Sequence, residues 1–268
     1  MTRYPSLQAA GFALATAFMA SVILVQDACA ATAGPPSADS ILRQMSDKLG
    51  AARQFSFKAT RKISASVAAE RGLQADAQIE VDVRRPDAVF ATSTSGDDVR
   101  SLYFDGKTFT IFDGKNQMYS TVPLRASLDK LPAQLASKYG FVPPLADFVI
   151  SNPYKDIKFR TQKIGYAGTE SCQPGSSGSD QAQCYRLTLS GKLADAELWI
   201  AVDDMLPRRM TASVKGQTAE TALTIEFTDW NLTPSIPDQT FVFTAPKDAM
   251  KIHMVTTAEI QAATKAQH

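Results

Sequence analysis

The sequence predicts an α+β fold: a curved antiparallel sheet of about eleven or twelve strands, with short helices covering its concave, apolar face. Runs of alternating apolar and polar residues recur along the chain, short turn signals separate them, and a few segments show helical spacing instead. So many sequential strands in an open sheet must curl, because each strand is twisted relative to its neighbour. The apolar face of such a sheet has to be covered.

The first thirty residues have the features of a signal peptide. Arg3 provides a short basic region, 11–25 form an uncharged apolar stretch, and Ala28-Cys29-Ala30 is a cleavage site with small residues at its ends. We therefore expect an exported protein with no integral membrane segment after cleavage. The predicted divisions are a signal peptide at 1–30, a flexible leader at 31–36, one domain at 37–255 and a polar C-terminal tail at 256–268.

Two alternatives for the N-terminal segment remain open. The segment could be kept as an anchor, although it is short for a membrane span. Cys29 could instead be acylated, as in a lipoprotein. Gln26 and Asp27 argue against acylation, because lipoprotein signals have small or branched apolar residues at those positions.

Charge and cysteine content narrow the function classes. The net charge is +1 and no long basic run occurs, so nucleic acid is not an expected partner. Once Cys29 is removed, Cys172 and Cys184 remain on either side of a Gly- and Ser-rich loop, and we expect them to form a disulfide worth roughly 2–3 kcal/mol. A metal or redox pair is the alternative, but the spacing is not CxxC and only His253 and His268 could assist.

The first elements are a helix and a long hairpin. Ser37 is the expected cap of a helix that ends at Gly50. Alternation then predicts one strand over 55–67 and a second over 73–84, with a turn between them. Arg61 interrupts the pattern, because it stands on the apolar face of the first strand.

Residues 84–124 predict the rest of a six-stranded meander, centred on a hairpin at Asp105-Gly106. Both residues accept the positive φ of a type I′ turn, which has a two-residue loop. The predicted pairs are Phe104–Lys107, Leu102–Phe109 and Arg100–Ile111. One face of this hairpin is apolar and carries Leu102, Phe104, Phe109 and Ile111.

Short helices interrupt the strands after residue 127. Ser127 is the expected cap of a helical stripe that contains Leu135, Pro132 is expected to split that helix, and a second segment carries Phe148. Neither segment is long enough to be stable alone, so both must lie on the apolar face of the sheet. The later predicted strands are 157–170, 184–190, 196–202, 208–214, 222–230 and 241–243, followed by a frayed helix in the tail.

Several short motifs, taken with this order of elements, resemble a family of uncharacterised exported bacterial proteins. They are Arg85-Pro86-Asp87, Tyr103-Phe104-Asp105-Gly106-Lys107, Leu198-Trp199-Ile200 with Leu206-Pro207, and Phe241-Val242-Phe243-Thr244-Ala245-Pro246. That family is similar to the LolA/LolB-type lipoprotein carriers and the sensory domain of RseB. The resemblance implies a periplasmic, strongly curved open β-barrel, with helices plugging its concave side around a hydrophobic cavity. It implies no catalytic residue and no cofactor.

The resemblance also directs attention to Arg61. In the carriers, an arginine near the cavity helps to hold the closed, ligand-free state, and Arg61 matches it by strand and face but not by any motif. We expect its guanidinium to bond backbone carbonyls at the ends of the helices within 128–151, because those carbonyls lack helical partners. The alternative is a bulge or strand end that turns Arg61 towards solvent.

No catalytic motif is present, so an enzyme is not expected. Gly175-Ser176-Ser177-Gly178 lacks the spacing of a nucleophile elbow, and no P-loop, HExxH or dinucleotide-binding fingerprint occurs. Two histidines offer little for a Ser-His or Cys-His pair, so a hydrolase is a distant third hypothesis. No metal site is predicted.

The expected function is therefore binding. The leading hypothesis is a lipid, acylated peptide or other amphiphile held between the curved sheet and the helices. The alternative is an interaction or sensor subunit that contacts an envelope protein through the outer face or an edge of the sheet. Aromatic residues of this kind are more often ordinary core, which is the alternative for the candidate cavity residues Arg61, Phe57, Phe104, Phe109, Leu135, Phe148, Trp199 and Phe227.

Overall fold

The computed structural model describes residues 36–71, 76–143, 145–173, 182–215 and 222–266. The predicted signal peptide, the end of the turn before 73 and the centre of the cysteine loop lie outside the described residues. Within them, a single sheet contains twelve strands, in the order β12-β6-β5-β4-β3-β2-β1-β11-β10-β9-β8-β7. All neighbouring strands are antiparallel except β12 and β6. The predicted α+β fold, an open curved sheet with short helices, is confirmed.

The strands and helices alternate in blocks along the chain. The strands are β1 Gln54–Ile63, β2 Asp76–Arg84, β3 Ala88–Ser95, β4 Asp98–Phe104, β5 Thr108–Asp113, β6 Met118–Pro123, β7 Thr161–Ser171, β8 Gln183–Gly191, β9 Ala194–Ala201, β10 Pro207–Val214, β11 Leu223–Asn231 and β12 Met250–Lys251. The helices are α1 Ala38–Ala51, α2 Ala65–Arg71, α3 Leu131–Tyr139, α4 Ala146–Val149, α5 Pro153–Arg160 and α6 Thr257–Ala266, with a 3-10 helix at Asp238–Phe241.

Two meanders make up most of the sheet. The first contains β1 to β6, as predicted, and the second contains β7 to β11. They join in the middle, where β1 pairs with β11 and Arg61 lies opposite Ile225. Strand alternation places the core on one face, here called the helix face: in β2, Ile79 and Val81 are buried while Gln78 and Glu80 are exposed. The helix α1 covers this face with Ile41, Leu42, Met45 and Leu49, and Ser37 caps it as predicted.

The hairpin at Asp105-Gly106 has a different register from the predicted one. Phe104 pairs with Phe109, Leu102 with Ile111 and Arg100 with Asp113, so the loop is two residues longer. The reason is the Asp105 carboxylate, which accepts hydrogen bonds from the backbone N–H groups of Lys107 (3.0 Å) and Thr108 (2.7 Å) and stabilises a wider turn. A shift of two residues preserves the faces, so Phe104 and Phe109 are both buried.

Two helices stand where strands were expected. The first predicted strand ends at Ile63, and Ala65–Arg71 form α2 instead. Ile157 lies not in a strand but in α5, because Asn152 accepts a hydrogen bond from the Lys155 N–H and Pro153 fits the first helical turn. Pro132 likewise begins α3 rather than splitting it.

The chain after β11 packs on the face of the sheet opposite the helices and then pairs with the edge strand β6. The predicted strand 241–243 is wrong: Phe241 ends the 3-10 helix, and Phe243 packs against the rings of Tyr103, Phe112 and Tyr119 on the face opposite the helix face, here called the outer face. Next, β12 pairs with β6 at one edge. In α6, Thr257 Oγ1 donates to the Ser137 carbonyl at 2.9 Å, which ties the tail to α3.

Candidate functional site

Helices fill the helix face almost completely above β2, β3 and β4. Only about 40 Å³ remains between these strands and the helices α3 and α4. Its walls are apolar and include Val81, Val89, Leu102, Leu128 and Leu131. Ligand sites typically occupy about 300–1,000 Å³, so this space does not hold an acyl chain in this conformation.

A much larger groove opens above β8, β9 and β10, and it is called the α5 groove here. Its volume is about 690 Å³, within the range of ligand sites. The sheet contributes Leu189, Leu198 and Met210 to its floor, and the helices contribute Phe148 and Ile157. All except Met210 are buried members of the main core, so the groove is an opening into that core.

The mouth of the α5 groove combines exposed apolar and charged side chains. Phe159 is 90% exposed and Leu193 is 82% exposed, the two highest values among the large apolar side chains of the described residues. Arg160 and Lys192 adjoin them in the sequence. The two sides of the mouth meet where Thr161 pairs with Gly191.

Gly191 permits this close approach. A Cβ atom at Gly191 would lie 2.8 Å from the Ala194 carbonyl oxygen and 3.3 Å from the Arg160 carbonyl oxygen. Only glycine therefore lets the β8–β9 turn pack against the end of α5. This contact brings Phe159 and Leu193 to the same mouth.

A surface network holds α5 against α1. The Asp39 carboxylate accepts hydrogen bonds from Lys158 Nζ at 2.7 Å and from the Tyr154 hydroxyl at 2.9 Å. Arg43 Nη2 donates hydrogen bonds to both the Asp39 carboxylate and the Tyr154 hydroxyl. The Lys158 ammonium and the Tyr154 hydroxyl lower the pKa of Asp39. Asp39 in turn raises the pKa of Lys158. One wall of the groove thus depends on solvent-exposed polar contacts.

Arg85 makes the kind of contact that was expected of Arg61. Its Nη1 donates to the carbonyls of Leu49 (3.1 Å) and Ala52 (2.9 Å), and its Nη2 donates to the Ile150 carbonyl at 2.6 Å. These carbonyls lie at the ends of α1 and α4, where helical partners are missing. Burial lowers the pKa of the guanidinium, which also lies 4.8 Å above the Phe55 ring. Arg85 thus joins the β2–β3 turn to two covering helices.

Arg61 occupies a different environment. It is partly buried near the middle of the sheet, and burial lowers the pKa of its guanidinium. The charged groups that influence it are Arg100, Asp76 and Asp98, which lie on β2 and β4. Its proposed gating role stays a prediction.

Most of the predicted cavity residues lie in the packed core rather than on a cavity wall. Phe148 alone of the eight lines the α5 groove. Buried members of the main core are Phe57, Phe104, Phe109, Leu135, Phe148 and Phe227. The aromatic rings of Phe57 and Phe148 both pack against that of Phe227, with centroids 5.8 Å and 4.9 Å away.

Trp199 lies on the opposite side of the sheet from the other predicted cavity residues. It alternates with Leu198 and Ile200, which face the helices, and it packs in a separate cluster with the cysteines. Its indole N–H donates to a Glu170 carboxylate oxygen at 2.8 Å. The predicted Cys172–Cys184 disulfide is confirmed, with the two Cα atoms 4.9 Å apart.

Sequence reasoning missed most of the groove. Leu189 and Met210 were assigned to strands without a role in the site, and Ile157 was assigned to a strand rather than to α5. The Asn152-Pro153 pair is the signal that could have revealed α5, because an Asn cap followed by Pro begins helices as well as ending them. The Arg85-Pro86-Asp87 motif marks Arg85, but nothing in that motif shows that its guanidinium reaches the ends of α1 and α4.

Among the described residues, no group of three or more His, Cys, Asp or Glu side chains is arranged to bind a metal ion. No helix in the described part of the chain is long and apolar enough to cross a membrane.

Solved structures with similar folds have low sequence identity to this chain. An uncharacterised conserved protein of Thermus thermophilus is 10% identical, with 81% of this chain and 98% of that one covered and a TM-score of 0.47. MucB in the Pseudomonas aeruginosa MucA/MucB complex is 14% identical, with coverage of 77% and 61% and a TM-score of 0.44. A LolA superfamily protein of Nitrosomonas europaea is 12% identical, with coverage of 78% and 99% and a TM-score of 0.35.

A comparison with curated proteins finds no match. A family model does match, over residues 38–255, which is most of the chain. The description of that family agrees with the exported, periplasmic protein expected from the sequence. The chain belongs to the family described as predicted periplasmic protein (DUF2092).

Proposed function

We propose that the protein is a non-enzymatic periplasmic binding protein that holds an amphiphile, such as a lipid or an acylated peptide. The α5 groove is the observation that carries this proposal. It has the volume of a ligand site, its floor is continuous with the apolar core, and Phe159 and Leu193 stand exposed at its mouth. Apolar surface in water costs about 25 cal/mol per Å², and an acyl chain in the groove would remove that cost.

The closed half of the helix face supports a second part of the proposal. The helices α3 and α4 above β2 to β4 are short, and Arg85 in the β2–β3 turn donates to one carbonyl at the end of α4 and to two at the end of α1. Loss of these bonds would free α4, which borders both the small cavity and the α5 groove. We infer that a long ligand enters from the α5 groove and extends under α4 when these bonds break.

A binding titration with a blocked groove tests the proposal. Delipidated protein is titrated with N-phenylnaphthylamine, a neutral dye that fluoresces in apolar sites, and the dye is then displaced with dodecanoate. Ala196 lines the groove, so Ala196→Trp fills part of it and should weaken dye binding about tenfold or more, a loss of about 1.4 kcal/mol.

The control variant adds the same bulk to the other face. Thr188 is exposed on the neighbouring strand β8 and points away from the groove, next to Leu189, which lines it. Thr188→Trp should bind the dye like the wild type. Absence of saturable binding to the wild type, or equal loss in both variants, would refute the proposal.

A role as an interaction or sensor subunit is the second candidate. The strand β7 favours it, because β7 is eleven residues long and ends the sheet, with no strand on its outer side among the described residues. Such an edge can accept an extended segment of another protein through backbone hydrogen bonds. A pull-down from envelope extract that recovers one stoichiometric protein and no lipid would support this candidate over the first.

A further inference from the structure

The charges that line the α5 groove do not balance. Three charged side chains line it, and two of them form an ion pair: Arg160 Nη2 lies 2.5 Å from Asp147 Oδ1. Lys192 is the third, and it has no carboxylate partner among the described residues. The groove therefore carries one uncompensated positive charge.

Lys192 stands at the entrance rather than on the floor. It occupies the turn between β8 and β9 next to the exposed Leu193, and the packing of Gly191 against the end of α5 fixes that turn. Leu189 and Leu198 of the apolar floor lie on the two strands that this turn joins. A ligand that fits this surface has an apolar body and a polar end held at the mouth.

We propose that the ligand of this groove is an acyl chain with one anionic headgroup, a carboxylate or a phosphate, and that Lys192 binds that headgroup. This inference rests on the proposed binding function. A lysine ammonium acts as a point charge for either anion. Lys192 is exposed, so its attraction for the headgroup is that of a surface ion pair. Arg160 contributes less, since Asp147 already neutralises it.

Displacement of the neutral dye by amphiphiles of equal chain length tests the inference. Dodecanoate and dodecyl phosphate carry the anion, dodecanol is neutral and dodecyltrimethylammonium is cationic. In the wild type, at least one of the anions should bind about fivefold more tightly than dodecanol, which corresponds to an exposed ion pair of about 1 kcal/mol. The two anions then distinguish carboxylate from phosphate recognition.

Substitutions of Lys192 distinguish headgroup binding by this residue from a general effect of positive charge on the protein surface. In Lys192→Met, the ratio of the affinity for the anion to that for dodecanol should fall to about one. In Lys192→Glu, dodecyltrimethylammonium should bind more tightly than dodecanol. The control is Lys163→Met, since Lys163 is an exposed lysine on β7 whose neighbour Ile164 pairs with the groove residue Leu189. This variant should keep the wild-type preference.

The results also separate the inference from the function on which it rests. Equal binding of both anions and dodecanol to the wild type, or an anion preference that survives in Lys192→Met, overturns the inference and leaves the binding function standing. Failure of the wild type to bind the dye and all four amphiphiles overturns the proposed function, and the inference falls with it.

Discussion

The two halves of the helix face differ in how completely helices fill them. About 40 Å³ remains above β2 to β4, whereas about 690 Å³ lies open above β8 to β10. Both halves belong to one sheet and both present apolar side chains, so the strands do not explain the difference. The helices do: each buries two side chains, but α3 buries two leucines, Leu131 and Leu135, whereas α5 buries Pro153 and Ile157 and is otherwise largely polar.

The halves also differ in how their helices are attached. In the filled half, apolar burial acts together with the hydrogen bond from Arg85 to the Ile150 carbonyl at the end of α4. In the open half, α5 is held to α1 by exposed groups around Asp39 and by the buried Ser46, whose hydroxyl accepts from the Tyr154 N–H at 3.1 Å. A helix held by surface contacts can move at lower cost than one held by a filled core, because surface contacts contribute less free energy.

The largest expected effect comes from truncating side chains in each half. Leu135 is 0% exposed, so Leu135→Ala should lower the free energy of unfolding by roughly 3–5 kcal/mol in urea denaturation. Met210 borders the open groove, so Met210→Ala removes fewer contacts and should cost less than about 1 kcal/mol. Similar losses of unfolding free energy in both variants would show that the two halves do not differ in packing.

An intermediate effect is expected when the Arg85 contacts are removed. Arg85→Met removes a donor from three carbonyls, of which that of Leu49 keeps the Ala52 N–H, and we expect a loss of roughly 2–3 kcal/mol with faster amide exchange in α4. Arg53→Met is the matched control, because Arg53 is an exposed arginine beside the same turn and should change stability by less than about 0.5 kcal/mol. Unchanged α4 exchange in Arg85→Met would show that these bonds do not hold the helix.

The smallest effect is a pH dependence confined to the open half. The pKa of Asp39 is lowered, so its contribution is present above its ordinary 3.8 and is lost as the pH falls towards the lower folded value. The pKa of Lys158 is raised, so its contribution is present below its ordinary 10.5 and is lost as the pH rises through the higher folded value.

Amide exchange, corrected for intrinsic rates, measures this dependence helix by helix. Protection of α5 should fall at both pH extremes, while α3 should keep its protection over the same range. Asp39→Asn should remove the acid-side change in α5. Equal loss of protection in α3 and α5 would mean that pH acts on the whole fold and not on the attachment of α5.

Strand alternation made most of the fold predictable. In each half-buried strand, apolar and polar residues alternate with a period of two, so the strands of the first meander could be assigned before their pairing was known. Errors occurred where a local side-chain contact decided the outcome. The Asp105 carboxylate stabilises a wider turn than the two-residue turn that Asp105-Gly106 predicts. The Asn152 side chain caps a helix where a strand was expected to begin.

The site was less predictable, because it depends on what the helices leave uncovered. Burial of Phe57 or Phe104 follows from alternation, but alternation cannot show that α5 is too polar to fill the space above Leu198. The same limit applies to the arginines. Alternation places Arg61 on the apolar face, but it cannot show that Arg85 donates to the carbonyls at the ends of α1 and α4, because that position follows only from the folded path of the β2–β3 turn.

The pairing of β1 with β11 has a consequence for how the protein reaches its native state. Ser56 pairs with Asn231 and Ile63 with Leu223, so the middle of the sheet joins segments from opposite ends of the domain. Each meander can form from contacts between sequence neighbours, but closing this long loop costs entropy before its pairing contributes any stability. We expect the joining of the meanders to be the slowest folding step. Until β11 arrives, the edge of β1 remains open to pairing with other chains.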